Sequence, residues 1–366
     1  MSRLPAEWEP QDAVWLTRPE NPETWPIAGG VLDRALAQWE AFAEALREAV
    51  AIRVTQDLGI ATNDAWVRDY GPLFCHAEQR SAGSSEEVPG TETGVAEAAG
   101  GTAASDASAS TAVPRTASPA ALLAHDFRFN AWGGKYHPHD RDAAAGAAIA
   151  DRAGARRLLH PRVLEGGAID VDGRGTLLTT EPCLLHPNRN PGTTRADYEA
   201  CFADALGATH TIWLPGGIEG DDTDGHVDDV ARFLPGGVVA AVAAPPWHPD
   251  HEPTRRNVEA LRSARNAAGD RLHVVELPAP TPRAFDYPAT ADTPAGPAPL
   301  PMSYANFLIS NGRLLVPVFH DPADDKACRA LDDAAPSLTL VPVAADALVI
   351  GLGTLHCMSL QQPACQ

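Results

Sequence analysis

The sequence predicts an α/β protein built from repeated strand–strand–helix–strand units, and three observations carry that expectation. Short apolar strands interleave with a smaller number of amphipathic helices, a pattern unlike strict strand–helix alternation. Glycine pairs recur where strands end, at Gly133-Gly134, Gly166-Gly167, Gly216-Gly217 and Gly236-Gly237, with Gly351 and Gly353 near the end of the chain, as though the turns of a repeated unit converge on one place. The chain has 366 residues and is 44% hydrophobic, enough for a sizeable core.

Taken in order, Ala13 to Leu16 reads as a short strand closed by Pro19. Leu32, Leu36, Trp39, Ala43, Leu46 and Val50 then recur at helical spacing, so a helix is expected to end near Ala51. Strands are expected from Ile52 and over 66–69, the latter stopped by Gly71-Pro72. Between Ser81 and Ala120 the composition collapses to Ala, Ser, Gly, Thr and Glu, with Val88, Val95 and Val113 as the large aliphatics and no aromatic. Such a segment buries too little surface to offset its ordering entropy and reads as a disordered insertion in one domain spanning 1–366. Folded sequence resumes at His125 to Phe129. Further strands are expected at 162–165, 168–171, 176–180, 211–214, 238–243, 272–277, 305–310, 314–318 and 347–350, and helices at 141–157, 194–206, 254–267 and 323–334. The stretch 278–301 carries eight prolines together with Phe285 and Tyr287, which suits a packed rim loop or a lid.

Composition narrows the function. A net charge of −20 disfavours nucleic acid, whose phosphates require a basic face, and suits a small cation drawn in by the summed field. The six cysteines form no CxxC pair, which points to reduced thiols in the cytoplasm. No apolar run reaches membrane-spanning length. Homo-oligomerisation stays open.

The run from Leu214 to Arg232, LPGGIEGDDTDGHVDDVAR, is the chemical focus. Carboxylates crowded this closely repel one another unless a cation sits among them. If His226-Val227-Asp228 is extended, imidazole and carboxylate share one face with Val227 packed behind. A solvated acidic loop is the plainer reading, and the register of a calcium loop is absent. Four other pieces stand out: Asp69 in WVRDYGP, Trp132 in FNAWGGKY, Glu165 in VLEGGAID, and Cys357 in LVIGLGTLHCMSLQQP. Each alone has an ordinary structural reading, as turn acid, core aromatic or small buried hydrophobe.

Together, FNAWGGKY, LEGGAIDVDG, LLTTEPCLLHPNRNPG, GDDTDGHVDDVARF, SYANFLISNG and the terminal HC-x-x-x-QQP resemble the agmatine deiminase family, within the guanidine-modifying superfamily that includes arginine and peptidylarginine deiminases. The resemblance runs from about Leu4 to Pro363. It implies a pentein fold, an α/β propeller of five ββαβ units around a central channel. It also implies hydrolysis of agmatine to N-carbamoylputrescine and ammonia, in putrescine and polyamine biosynthesis, without metal or organic cofactor. Asp69 and Asp228 would hold the guanidinium with Glu165 beside them, Cys357 would attack its carbon, and His226 would serve as acid and then base. Trp132 and Trp66 would line the site, and Asp222 and Asp224 are candidates for the ammonium of the tail. The chain departs from the family at Arg18, Tyr70, Leu352 and Thr354. Arg68 or Arg189 could instead grip a substrate carboxylate. Three alternatives stay open: another guanidine such as arginine or a peptidyl-arginine, a metallohydrolase using Asp69, His226 and Asp228 as ligands, and a non-catalytic polyamine binder.

Overall fold

The computed structural model describes residues 2–77, 122–289 and 295–365. The expected disordered insertion, Ser81 to Ala120, lies outside them. Among the described residues, five sheets share one construction. Each has an antiparallel pair of strands followed, across a helix, by a third strand parallel to the second. The first joins Leu73–Ala77, Leu122–Arg128 and Arg156–Val163 with helix Asp140–Ala153 in the crossover, and Ser2–Arg3 adds a short edge. The second joins Ile169–Val171, Thr176–Thr180 and His210–Leu214 around helix Arg195–Leu206. The third joins Ala231–Leu234, Val238–Ala243 and His273–Pro278 around helix His251–Ser263. The fourth joins Leu308–Ser310, Arg313–Val318 and Thr339–Ala344 around helix Asp324–Ala334. The fifth joins distant parts of the chain, pairing Ser359–Pro363 with Gln11–Leu16, which runs beside Ala51–Val54 after helix Val31–Arg47.

The helices form for legible reasons. Val31–Arg47 buries Val31, Ala35, Trp39, Phe42, Ala43 and Leu46 along one stripe. Arg195–Leu206 starts at a capping box in which Thr194 and Asp197 bond each other's backbone, and stops at Gly207 in the left-handed conformation. The largest apolar cluster sits under Val31–Arg47, with Trp15, Trp25 and Trp39 fully buried and Tyr304, Phe307 and Phe319 across from them.

Several local expectations fail. The strand expected at 66–69 is the short helix Val67–Tyr70, and 347–350 is a 3-10 turn, Leu348–Gly351. Helix 141–157 ends at Ala153, where Gly154 turns the chain into a strand beginning at Arg156. The 278–301 stretch contains a hairpin pairing Ala284–Tyr287 with Gly296–Pro299. Among the described residues, no helix is long and apolar enough to cross a membrane.

A buried ionic chain joins the second and third sheets to the turn that carries Cys357. Glu7 accepts from Arg232 Nη2 at 2.8 Å and lies 3.0 Å from His356 Nε2, and Arg232 Nε reaches Asp170 at 3.0 Å. Burial works against the Glu7 charge, yet Arg232 and His356, with a smaller share from Arg68, hold its carboxyl down to about 2. That folded value is below the ordinary 4.5, so the stability it brings is complete above the ordinary value and lost as pH falls toward about 2. Glu7→Gln is therefore expected to lower unfolding free energy at neutral pH by about 3 kcal/mol. Urea denaturation should show the gap between variant and parent narrowing over that acid window; an unchanged gap would refute the linkage.

Candidate active site

The turn carrying the nucleophile candidate leads into Ser359–Pro363 and is pinned from several sides. Arg68 donates its backbone N–H to Cys357 O at 3.3 Å and Nε to His356 O at 3.3 Å. Gly353 lets the turn approach Trp66, since a Cβ there would meet the indole at 2.6 Å. Asn306 organises the turn. Its Oδ1 accepts from Thr354 Oγ1 at 2.7 Å, His356 N at 3.1 Å and Cys357 N at 3.4 Å, and its Nδ2 donates to Cys357 Sγ at 3.1 Å and Asp229 Oδ1 at 3.0 Å.

Around the sulfur the acids and the imidazole gather. Cys357 Sγ is 3.6 Å from Asp228 Oδ2, which also faces His356 Nδ1 at 2.7 Å, while Asp228 Oδ1 is buried without a partner. His226 Nδ1 faces Asp69 Oδ1 at 3.8 Å and Asp228 Oδ1 at 4.0 Å. Asp69 is oriented by Trp132 Nε1 at 2.9 Å and by the backbone N–H of Gly167 at 2.9 Å. A Cβ at Gly167 would fall 2.6 Å from His226 Nδ1 and 2.9 Å from Asp69 Oδ1, so glycine keeps this space open. Trp132 itself has φ of 53°, a left-handed backbone unusual for so large a residue.

The charges are tuned by this crowding. Burial alone would depress the imidazole, but Asp69, Cys183 and Asp228 carry His226 well above its ordinary value. Burial pushes the Asp69 carboxyl up. Burial opposes the Asp228 charge as well, but the His356 bond and charge keep that carboxyl below the usual range. Burial, followed by the charges of Asp228, Asp229 and Asp69, pushes the Cys357 thiol well up, with Asn306 pulling the other way.

A cavity of about 770 Å³ opens above, and its wall includes Trp66, Asp69, Trp132, Asp222, Asp229 and Cys357. His226, Glu165 and Asp228 lie beneath that floor, each almost wholly buried. The hairpin side contributes Tyr287 and residues 295–299 to the wall. Asp222 lies in the wall, receives a hydrogen bond from Tyr136, and is pushed up to about 6 by burial. Asp224 does not line it: its carboxylate is taken by Lys135 at 2.7 Å, by Asn188 at 3.0 Å and by Arg189.

Neither arginine raised as a carboxylate grip is available. Arg189 is buried against Glu165 at 2.8 Å and Asp224, and Arg68 bonds Gln361 at 2.5 Å under the cysteine turn. His226 reaches the site although the extended alternation fails, because Val227–Asp229 is a 3-10 turn that still buries Val227 in the core. The departures fall into place as well. Arg18 pairs with Asp57 at 2.7 Å, Tyr70 bonds Thr17 at 2.7 Å, and the Thr354 hydroxyl does the anchoring to Asn306. Leu352 lines the cavity, and the close backbone approaches occur instead at Gly351 and Gly353. Two groups could hold a metal ion, Glu165 with Cys183 and His226, and Asp228 with Asp229 and Cys357, each with ligand atoms within 4.8 Å of one another.

Sequence reasoning missed Glu7, Asn306, His356, Asp229 and Cys183. His356 and Asp229 adjoin residues already singled out, and Asn306 sits in SYANFLISNG, so those signals were available; Glu7 had none.

The comparisons with known proteins agree with one another. The model of the Porphyromonas-type peptidyl-arginine deiminase family matches residues 3–363. An agmatine deiminase of Pseudomonas fluorescens (strain SBW25) is 34% identical over 397 residues, covering 99% of this chain and 95% of the relative. Another, of Ectopseudomonas mendocina (strain ymp), is 34% identical over 392 residues, covering 99% and 96%. A solved agmatine deiminase of Enterococcus faecalis matches with a TM-score of 0.82 at 28% identity, covering 99% of this chain and 96% of that one. A match along nearly the whole chain, together with relatives above 30% identity, places this chain in the Porphyromonas-type peptidyl-arginine deiminase family.

Proposed function

We propose that the chain hydrolyses agmatine to N-carbamoylputrescine and ammonia, with Cys357 as nucleophile. One observation carries the reading: a buried thiol 3.6 Å from Asp228 shares its recess with Asp69 and the His226 imidazole, and Asp228 Oδ1 has no partner. A guanidinium is flat and permanently charged, so two carboxylates can fix its plane through paired N–H···O bonds, and its charge relieves theirs. We also read the five ββαβ sheets as blades of a propeller, which would bring their inner ends, and so these residues, to one channel.

In this reading the cation enters below the cavity floor and the thiol proton is released to solvent. The thiolate forms a bond to the guanidinium carbon. His226 then protonates one nitrogen, which leaves as ammonia, and a thiouronium remains on the sulfur. Neutral His226 takes a proton from water as its oxygen bonds the carbon. The carbon–sulfur bond breaks, its electron pair returns to Cys357, the proton of the new hydroxyl passes to that thiolate, and the carbamoyl product departs. Glu165 supports this chemistry from beside His226, and Trp66 and Trp132 flank the methylenes. Asp222 receives the tail ammonium; Asp224, already neutralised, is left out of that role. In this reading the carbamoylated diamine that is released feeds putrescine and polyamine biosynthesis.

A second reading rests on Arg141, which lies in the cavity wall and could meet the carboxylate of an arginine-type substrate. Ammonia release from agmatine and arginine, measured side by side, decides between them. Agmatine is expected to be much faster; a preference for arginine would overturn the substrate assignment. Cys357→Ala should abolish release while exhaustive chelation leaves it intact, and loss on chelation would favour the metallohydrolase. Asp228→Asn should lower kcat/KM by about a thousandfold or more, since one side of the fork loses its charge. Asp222→Asn should raise KM for agmatine roughly tenfold with kcat retained. An unchanged KM would remove Asp222 from the tail site.

A further inference from the structure

We infer that Asn306 is a further catalytic residue, whose amide N–H aims the Cys357 sulfur and holds its negative charge whenever the sulfur is free of carbon. The inference rests on the deiminase reading for its steps, but on geometry for the contact. Asn306 is buried, and its amide has one arrangement compatible with its neighbours. The N–H groups of His356, at 3.1 Å, and Cys357, at 3.4 Å, can only donate, so the oxygen must face them. The NH2 group is thereby turned toward Cys357 Sγ at 3.1 Å and Asp229 Oδ1 at 3.0 Å. Asp229 takes one amide hydrogen and leaves the other for the sulfur.

Three carboxylates raise the thiol at that sulfur: Asp228, Asp229 and Asp69. A thiolate among three acids needs a donor that does not depend on substrate, and the Asn306 amide supplies one with no charge of its own to compete for the guanidinium. The same bond matters twice. It directs the lone pair at the guanidinium carbon during attack. It then stabilises the electron pair returning to sulfur when the carbon–sulfur bond of the thiouronium-derived adduct breaks.

The test separates aiming from scaffolding. Asn306→Asp keeps an oxygen for the turn's donors and replaces the NH2 that faces sulfur. It should lower kcat about a hundredfold, as expected for a lost hydrogen bond to a charged atom, with KM for agmatine within a fewfold. Alkylation of Cys357 by iodoacetamide from pH 7 to 10, read by peptide mass, should slow and its profile should move to higher pH. Ser359→Ala removes a hydroxyl that bonds the Leu355 and His356 carbonyls of the same turn, touching neither Asn306 nor sulfur, and should leave both readouts within about threefold. If Asn306→Asp matches the parent in kcat and alkylation, or if Ser359→Ala reproduces its losses, the amide merely holds the turn and the inference fails. Should Asn306→Asp not fold, Asn306→Ser is read by the same criteria. Alkylation needs no guanidine. A parent protein that releases no ammonia, yet shows the Asn306→Asp effect on alkylation, would sink the deiminase reading and leave this contact standing.

Discussion

Carboxylates taken out of water must be matched by positive charge, and that requirement shapes the centre of this molecule. Asp69, Asp228, Glu165, Asp229, Asp170 and Glu7 are all nearly inaccessible. Arg232 answers Glu7 and Asp170, Arg189 answers Glu165, and His356 bridges Glu7 and Asp228. What remains unmatched is local: Asp228 Oδ1 and Glu165 Oε2 have no hydrogen-bond partner, and Asp69 keeps only neutral donors besides the nearby His226 imidazole. Among these six acids the compensation is least complete around Cys357. A buried ionic network seldom adds much stability compared with an apolar core, but it fixes geometry, and here it fixes Asp228 against the cysteine turn.

The same logic explains why neither Arg68 nor Arg189 is left to grip a carboxylate from the recess. Arg68 and Arg189 looked available because they lie near the motifs in sequence. In space each is consumed by the scaffold, one beneath the cysteine turn and the other behind Glu165. Their positive charge acts through the residues they hold.

How much was legible followed from the range of the interactions involved. The amphipathic helix 31–47 and the strands with alternating or wholly apolar runs were readable because their pattern is local. The run around His226 and the cysteine turn were readable because unusual residue types stand close together. Residues 66–69 and 347–350 were misread because four apolar or mixed residues fit a strand and a tight turn equally well, and tertiary packing chose the turn. The strands Leu73–Ala77 and Ala231–Leu234 escaped because Cys75, His76 and Arg232 break their apolar pattern, being used for packing and for the ionic chain. Glu7 could not be found: its partner His356 is 349 positions away.

The pairing of Ser359–Pro363 with Gln11–Leu16 has a kinetic meaning. Cys357 is set by a strand whose neighbour is some 345 positions distant, so the loop that must close before the sulfur is oriented is almost the whole polypeptide. Closing a loop of that length costs more entropy than any local contact, so the arrangement around the sulfur is expected to form late in folding.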